Sequence, residues 1–351
     1  MGLSVPLVWN EAHRLHVPES AVWVGAPIEA DELPERAARI RAAVEDAGAP
    51  VVAAEPHDDD ALLAVHDPGL VDFLRTAWAT WHAEGMPSEA DQPAVVGYMF
   101  PTPGLLAGVE PRVPRALSAR TGAWCFDTMT PVEEGTWAAA RGAVDTVLTA
   151  ADLVLDGASA AYACCRPPGH HVTRSAFGGS CYLNNAAIAA QYLRDRGVAR
   201  VALLDVDAHH GNGAQAIFRD RDDVLTASVH VDPAAGWFPH FLGFPEESGA
   251  TNLNVTLAPG SSDEPWLLGV DRLVAATREH RSDALVVALG VDAAGDDPSS
   301  PLAVTEEGFR EAGRQLGALG LPTVVVQEGG YVLDTIGPLV RAALEGLDEA
   351  L

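Results

Sequence analysis

The chain has 351 residues, 48% of them hydrophobic, and a formal net charge of −27. That length and apolar content can fill one large core or two modest ones; no run of about 18 apolar residues marks a membrane span. So acidic a chain lacks the basic patches that phosphate binding needs, which argues against a nucleic-acid partner, although it would attract a cationic ligand.

In chain order, strand candidates are 4–9 (SVPLVW), 159–165 (SAAYACC), 200–206 (RVALLDV), 223–231 (DVLTASVHV), 284–290 (ALVVALG) and 323–328 (TVVVQE). Helix candidates are 32–48, 136–155, 184–197, 264–280, 306–319 and 336–347. Several strands are unbroken apolar runs, the pattern of parallel strands covered on both faces. Strands alternating with helices predict an α/β fold with a mostly parallel sheet flanked by helices, in one domain over 1–351. The stretch 93–122 is rich in proline and glycine and has no period, which reads as a functional loop or an interface. The N-terminus has no basic segment leading into an apolar one, so no secretory signal is expected. Four cysteines (Cys125, Cys164, Cys165, Cys181) form no CxxC pair and no disulfide framework. A reducing cytoplasm is the expected compartment.

Polar clusters follow four of the strands: RPPGHH (166–171), DVDAHHGNG (205–213), VDAAGDDP (291–298) and EGGY (328–331). Parallel sheets place ligands at the carboxyl ends of their strands, so the four clusters suggest one site. Buried carboxylates are costly unless they are paired or hold a metal. The i, i+2, i+4 spacing of Asp205, Asp207 and His209 predicts projection to the same side. Asp207 and His209 offer an oxygen and a nitrogen, and Asp292 a third donor. Three protein ligands with an open position suit a catalytic zinc; ferrous iron suits the same donors. The plainer alternative is that these residues cap turns and helix starts. His170 and His171 read as polar loop content or, beside a metal, as general-base candidates, for which Asp205 and Asn212 are available as orienting partners. Tyr331 either packs or stabilises an oxyanion.

Together with FGG-x-C-x-x-NNAA (177–187), D-x-D-x-HHGNG-x-Q and GVD, these motifs resemble the zinc-dependent deacetylase family that includes histone deacetylases. The resemblance covers nearly the whole chain. It is closer still to the bacterial acetylpolyamine amidohydrolases, through HDPGLVDFLRTAW (66–78), FPHFLG (238–243) and the proline-rich segment before GTW (135–137). It implies an arginase/deacetylase-like fold and hydrolysis of the acetamide of a small acetylated amine. Asp207, His209 and Asp292 match the zinc ligands. His171 matches the general base, oriented by Asn212; His170 matches a charged electrostatic partner, oriented by Asp205. Tyr331 matches the oxyanion donor. Asp205, Asp207, His209 (through its carbonyl), Ser228 and Val229 match a structural potassium site. Phe218, Arg221 and Val224 match a second, built largely of backbone carbonyls. Gly179, Ser180, Phe238 and Gly329 match the substrate channel, and 93–130 matches a loop at the mouth that forms a homodimer interface.

The chain departs from the pattern twice. Ser180 stands where an aromatic channel wall is usual, which predicts a wider or wetter channel. Ser118 and Met129 stand where acids of the mouth loop are expected, although Glu110, Asp127, Glu133 and Glu134 lie nearby. The substrate is then an acetylpolyamine or another small-molecule or natural-product amide, with acetyl-lysine less suited to a mouth narrowed by a dimer. Gly211 and Ala294 replace the acids that a binuclear, arginase-like site needs. A non-catalytic binding protein on this scaffold would show a broken ligand set or a lost tyrosine, and all are present.

Overall fold

Successive residues of the sheet strands enter opposite cores. On β9 (Ala284–Leu289), Ala284, Val286 and Ala288 pack into one apolar cluster and Leu285, Val287 and Leu289 into the other. On β6 (Val201–Asp205) and β10 (Thr323–Gln327) the same division holds, with Val201, Leu203, Val324 and Val326 on one side and Ala202, Leu204 and Val325 on the other. An unbroken apolar run is what period-two geometry requires when both faces are buried.

The structure is a computed structural model and describes residues 2–90 and 92–351. The remaining strands are β1 (Leu7–Trp9), β2 (Ala21–Trp23), β3 (Ala26–Ile28), β4 (Val51–Ala53), β5 (Ala160–Ala163), β7 (Val224–Val231) and β8 (Asn252–Leu257). The helices are α1 (Pro34–Asp46), α2 (Asp60–Val65), α3 (Pro68–Ala83), α4 (Met86–Ala90), α5 (Pro103–Leu106), α6 (Leu117–Trp124), α7 (Thr136–Leu155), α8 (Asn185–Asp195), α9 (Asn212–Phe218), α10 (Asp263–His280), α11 (Glu306–Gly317) and α12 (Ile336–Ala350). Eight strands form one parallel sheet in the order β4-β1-β5-β10-β9-β6-β7-β8, and β2 and β3 form a separate antiparallel hairpin. Helices α2, α3, α7 and α8 cover one face; α1, α10, α11 and α12 cover the other. None of the described helices is long and apolar enough to cross a membrane.

The six strands expected from sequence are all present, shortened by one to three residues at their ends, and α7 runs over the expected span. Two expectations need correcting. The stretch 93–122 is not wholly irregular: Thr102 caps the short α5, and α6 starts at Leu117. The strand carrying Asp205 ends at that residue, so Asp207 and His209 lie in the following loop. Loop geometry, not strand alternation, therefore aims them.

Candidate active site

β5, β10, β9 and β6 are neighbours in the sheet, so their carboxyl ends stand side by side. The four polar clusters follow those ends and meet in one place, at the floor of a cavity of about 580 Å³. That size fits a small ligand.

Three donors converge at the floor. His209 Nδ1 lies 2.9 Å from Asp292 Oδ2 and 3.2 Å from Asp207 Oδ1, and ligand atoms of all three residues fall within 4.8 Å of one another. Both carboxylates are 0% exposed. Their outer lone pairs are fixed by backbone donors: Ala208 N–H to Asp292 Oδ1 (2.9 Å), Gly329 N–H to Asp207 Oδ2 (2.9 Å) and His209 N–H to Asp207 Oδ1 (2.8 Å). His209 Nε2 faces the Ser299 carbonyl at 3.1 Å. Against the cost of burial, Asp207 and Asp292 favour a proton on Nδ1; a metal that displaced it would take the Nδ1 lone pair as its ligand, with the Nε2 hydrogen held on the Ser299 carbonyl. Asp205 does not join this group, contrary to the same-side reading of its spacing: its Oδ2 lies 2.9 Å from His170 Nδ1.

Two buried aspartates in contact should resist ionisation together. Burial and the Asp207 charge push Asp292 up to about 7. Burial opposes ionisation of Asp207 as well, but the charges and hydrogen bonds of His170 and His209 hold it well below the usual carboxylate range. A nitrogen and two carboxylate oxygens held this way, on two buried aspartates and a partly exposed histidine, are a donor set that fits a divalent metal with positions left open.

The tandem histidines separate in charge. Burial works against protonation of His170, yet Asp207 and Asp205 lift it to about 10. Burial and the adjacent His170 charge hold His171 well below its usual value. Its Nδ1 lies 2.7 Å from Asn212 Oδ1, an oxygen that can only accept. The neutral ring therefore carries its hydrogen on Nδ1 and presents a basic Nε2 to the cavity. These contacts, His170 to Asp205 and His171 to Asn212, are the pairs that the family resemblance implies.

Tyr331 lines the cavity beside His171 and His209. Its N–H donates to Asp297 Oδ2 (2.7 Å), and the Arg36 guanidinium lies 4.7 Å from its ring centroid. Burial pushes its hydroxyl well above the usual phenol value, so it stays a donor. Phe238 forms a wall, edge-on to His171 with ring centroids 4.7 Å apart. Beside it, Gly179 has φ 61°, and a Cβ there would meet His171 Cδ2 at 2.4 Å and Phe238 Cε1 at 2.9 Å, so only glycine fits. A Cβ at Gly329 would reach the Asp207 and Asp292 carboxylates at 2.6 Å. Ser180 lines the cavity without an aromatic ring, and its N–H donates to Thr130 Oγ1 (2.9 Å). Met129 also lines it; Ser118, on α6, does not.

Of the residues matched to potassium sites, Asp205 and Ser228 are register partners on β6 and β7, and Val229 follows on β7. Phe218, Arg221 and Val224 border the α9–β7 turn, closed by Arg221 N–H to the Phe218 carbonyl (2.9 Å). The Arg221 guanidinium turns away to Asp223 and Gln191.

Sequence reasoning missed a second ring of residues. Glu328 is fully buried, and its Oε2 accepts the Gly169 and His170 N–H groups (2.7 and 3.1 Å). Arg36 donates to the Gly330 and Glu328 carbonyls (2.5 and 2.7 Å). Arg36 and Arg166 both pair with the buried Glu32. His66 bridges the Thr173 carbonyl and the Asn184 N–H (3.0 and 2.9 Å). Asp127 accepts the Gly179 N–H (2.6 Å). The arginine at the head of RPPGHH was the one visible signal, since a charge entering a buried loop needs a partner.

A family model described as "Histone deacetylase domain" matches residues 31–347. The chain belongs to that family, whose members hydrolyse acetyl amides, and this chain is a hydrolase of that class. It is 39% identical to the acetylpolyamine amidohydrolase of Mycoplana ramosa, covering 97% of this chain and 99% of that protein. It is 43% identical to the acetylpolyamine amidohydrolase of Burkholderia pseudomallei (strain 1710b), covering 95% of each. The crystal structure of an acetylpolyamine aminohydrolase from Burkholderia pseudomallei superposes with a TM-score of 0.92 at 41% identity, over 99% of both chains. The HDA15 HD domain superposes at 0.79 with 25% identity, over 98% of this chain and 90% of that one.

Proposed function

We propose that this chain is a zinc-dependent amidohydrolase that removes acetate from a small acetylated amine, with acetylpolyamines as the preferred class. The observation that carries the reading is the meeting, in one cavity, of the Asp207–His209–Asp292 donor set, a neutral His171 and the Tyr331 hydroxyl. The near full-length similarity to acetylpolyamine amidohydrolases supports the substrate class.

Asp207, His209 and Asp292 would hold zinc, or ferrous iron, and the bound metal would supply Lewis acidity toward the acetyl carbonyl and water. His171 Nε2 takes a proton from the water whose oxygen adds to the acetyl carbon. Tyr331 donates its hydroxyl hydrogen bond to the developing oxyanion. His170, kept charged by Asp205 and Asp207, stabilises the negative charge that accumulates. The C–N bond then breaks, a histidine returns a proton to the nitrogen, and acetate and amine leave. Phe238 and Gly179 narrow the channel, while Ser180 leaves one wall open to a bulkier amide, the feature that favours a natural-product substrate as the second reading.

The potassium assignments of Asp205, Asp207, His209, Ser228 and Val229, and of Phe218, Arg221 and Val224, belong to the same proposal, as does the cytoplasmic setting. So does a homodimer formed through the 93–130 loop, whose Tyr98, Met99, Val109 and Val113 are exposed apolar side chains, unfavourable to leave in water. The whole chain is one catalytic domain on this reading.

Metal removal tests it. Dialysis against a chelator should abolish acetate release from N-acetylputrescine, and one equivalent of zinc per chain should restore it. Undiminished activity after metal is shown to be gone would rule the reading out.

A further inference from the structure

We infer that His16 and Glu32 form a subsite for a hydroxyl group of the substrate, on the side of the cavity that Ser180 leaves open. The inference rests on the hydrolase reading above and narrows it: among acetylated amines, those with a hydroxyl on the amine portion gain at this site.

His16 is 1% exposed and Glu32 4%, yet both line the cavity that holds His171, His209 and Tyr331. His16 Nε2 and Glu32 Oε2 face each other at 3.8 Å, too far for a hydrogen bond. Neither atom has another hydrogen-bond partner among the described residues. Glu32 Oε1 accepts from Arg36 and from Arg166 Nε. Arg166 Nη2 is within ion-pair distance of Oε2 (2.9 Å) but gives its hydrogen bond to the Glu32 backbone carbonyl (2.8 Å). A buried donor or acceptor is costly to leave unpaired, so the two atoms call for one group that serves both.

The tautomer of His16 fixes which group that is. Thr136 Oγ1 accepts the Glu133 N–H (2.8 Å), leaving its own hydrogen for His16 Nδ1, 3.0 Å away. Burial lowers His16 to about 4, so the ring is neutral and carries its hydrogen on Nε2. The other tautomer would turn a lone pair toward the Glu32 carboxylate, two acceptors face to face. Arg166 and Arg36 keep Glu32 ionised against the cost of burial. The pair therefore offers one neutral donor and one anionic acceptor. A hydroxyl oxygen accepts from Nε2–H and gives its own hydrogen to Oε2; an ether meets only the first and an ammonium only the second. The channel reaches this pair past Ser180. Tyr182, which lines the same side, stands edge-on to His16 with ring centroids 5.1 Å apart and donates its hydroxyl to the Pro131 carbonyl (2.5 Å), so the wall is held in place. The small Ser180 side chain leaves the path to it free.

The test compares N-acetylethanolamine, N-acetyl-3-aminopropanol and N-acetyl-4-aminobutanol, each beside the N-alkylacetamide that lacks the hydroxyl, on the zinc-loaded protein. At the chain length that reaches the pair, the ratio of kcat/KM for the alcohol over its deoxy partner should be about tenfold in wild type, the worth of a hydrogen bond to a charged group. It should fall to about one in His16→Phe and be partly kept in His16→Gln, which retains an N–H donor. His82→Phe, the same change at an exposed position of α3, should keep the wild-type ratio. A wild-type ratio of about one at every length would overturn the inference and leave the hydrolase intact, the pair then being served by a structural water. A wild-type preference that survives in His16→Phe would overturn it too. If wild type turned over none of the amides, the hydrolase reading would fail. Calorimetry with the free amino alcohols and the matching alkylamines would then judge the subsite: an advantage for the alcohols that His16→Phe loses upholds it, and equal binding overturns it.

Discussion

Glu328 shows what a single residue contributes behind the reacting groups. One carboxylate oxygen satisfies two backbone N–H groups at the turn that presents His170 and His171, while burial pushes the acid up to about 7. Glu328→Leu leaves both donors unpaired, at about 1–3 kcal/mol each; Glu328→Gln keeps an acceptor. Urea denaturation should therefore show a large loss for the leucine variant and a small one for the glutamine variant, and equal losses would contradict the assignment. His66 supplies a pH prediction. Its Nδ1–H donates to the Thr173 carbonyl and its Nε2 accepts the Asn184 N–H, so only the neutral ring satisfies both. Burial accordingly lowers it to about 4. The folded value lies below the unfolded value of about 6.5. Its contribution to stability is therefore whole above pH ~6.5 and is lost as the pH falls toward about 4. Titration followed by NMR should place the His66 midpoint well below that of an exposed histidine, and a midpoint near 6.5 would contradict this.

At the scale of elements, the site depends on loops braced from behind. Arg36, on α1, reaches the carbonyls on both sides of Gly329, and Arg166, at the end of β5, meets it through Glu32. Burial alone would raise Glu32, but the two guanidinium groups hold it below its ordinary value. Glu32→Ala leaves two buried cations without their carboxylate, which costs roughly 3–5 kcal/mol. A thermal melt should show the lower Tm, with kcat falling because Tyr331 packs on Arg36; an unchanged melt would show that the two arginines find other partners. Three of the elements that escaped sequence reading have identifiable physical causes. β8 carries Asn252 and Asn254 inward, into hydrogen bonds with Gln215 and His210, so it lacks the apolar signature of its neighbours. α9 has only seven residues, too short to display a period. The hairpin β2–β3 is largely exposed and has little hydrophobic pattern to read.

For the whole molecule, the buried centre of the sheet was legible because β5, β6, β9 and β10 are covered on both faces and must be apolar throughout. The donor set was legible because acids and histidines directly after such strands have no other inexpensive partner. The side wall of the cavity was not legible. His16 and Glu32 are distant in sequence from every motif and reach the cavity only through the fold, and the Asp127 contact that fixes Gly179 joins residues 52 positions apart. Substrate choice belongs to this less legible layer, whereas the chemistry belongs to the motifs. The most direct test of the central claim is acetate release by the zinc-loaded protein from acetylputrescine, acetylcadaverine, an acetyl-lysine peptide and a bulkier acylated amine, each run beside Tyr331→Phe. Turnover should be fastest with the two acetylated diamines and fall about 10²–10³-fold in Tyr331→Phe, the loss of one oxyanion donor. Wild-type turnover no greater than that of Tyr331→Phe on every substrate would contradict the account.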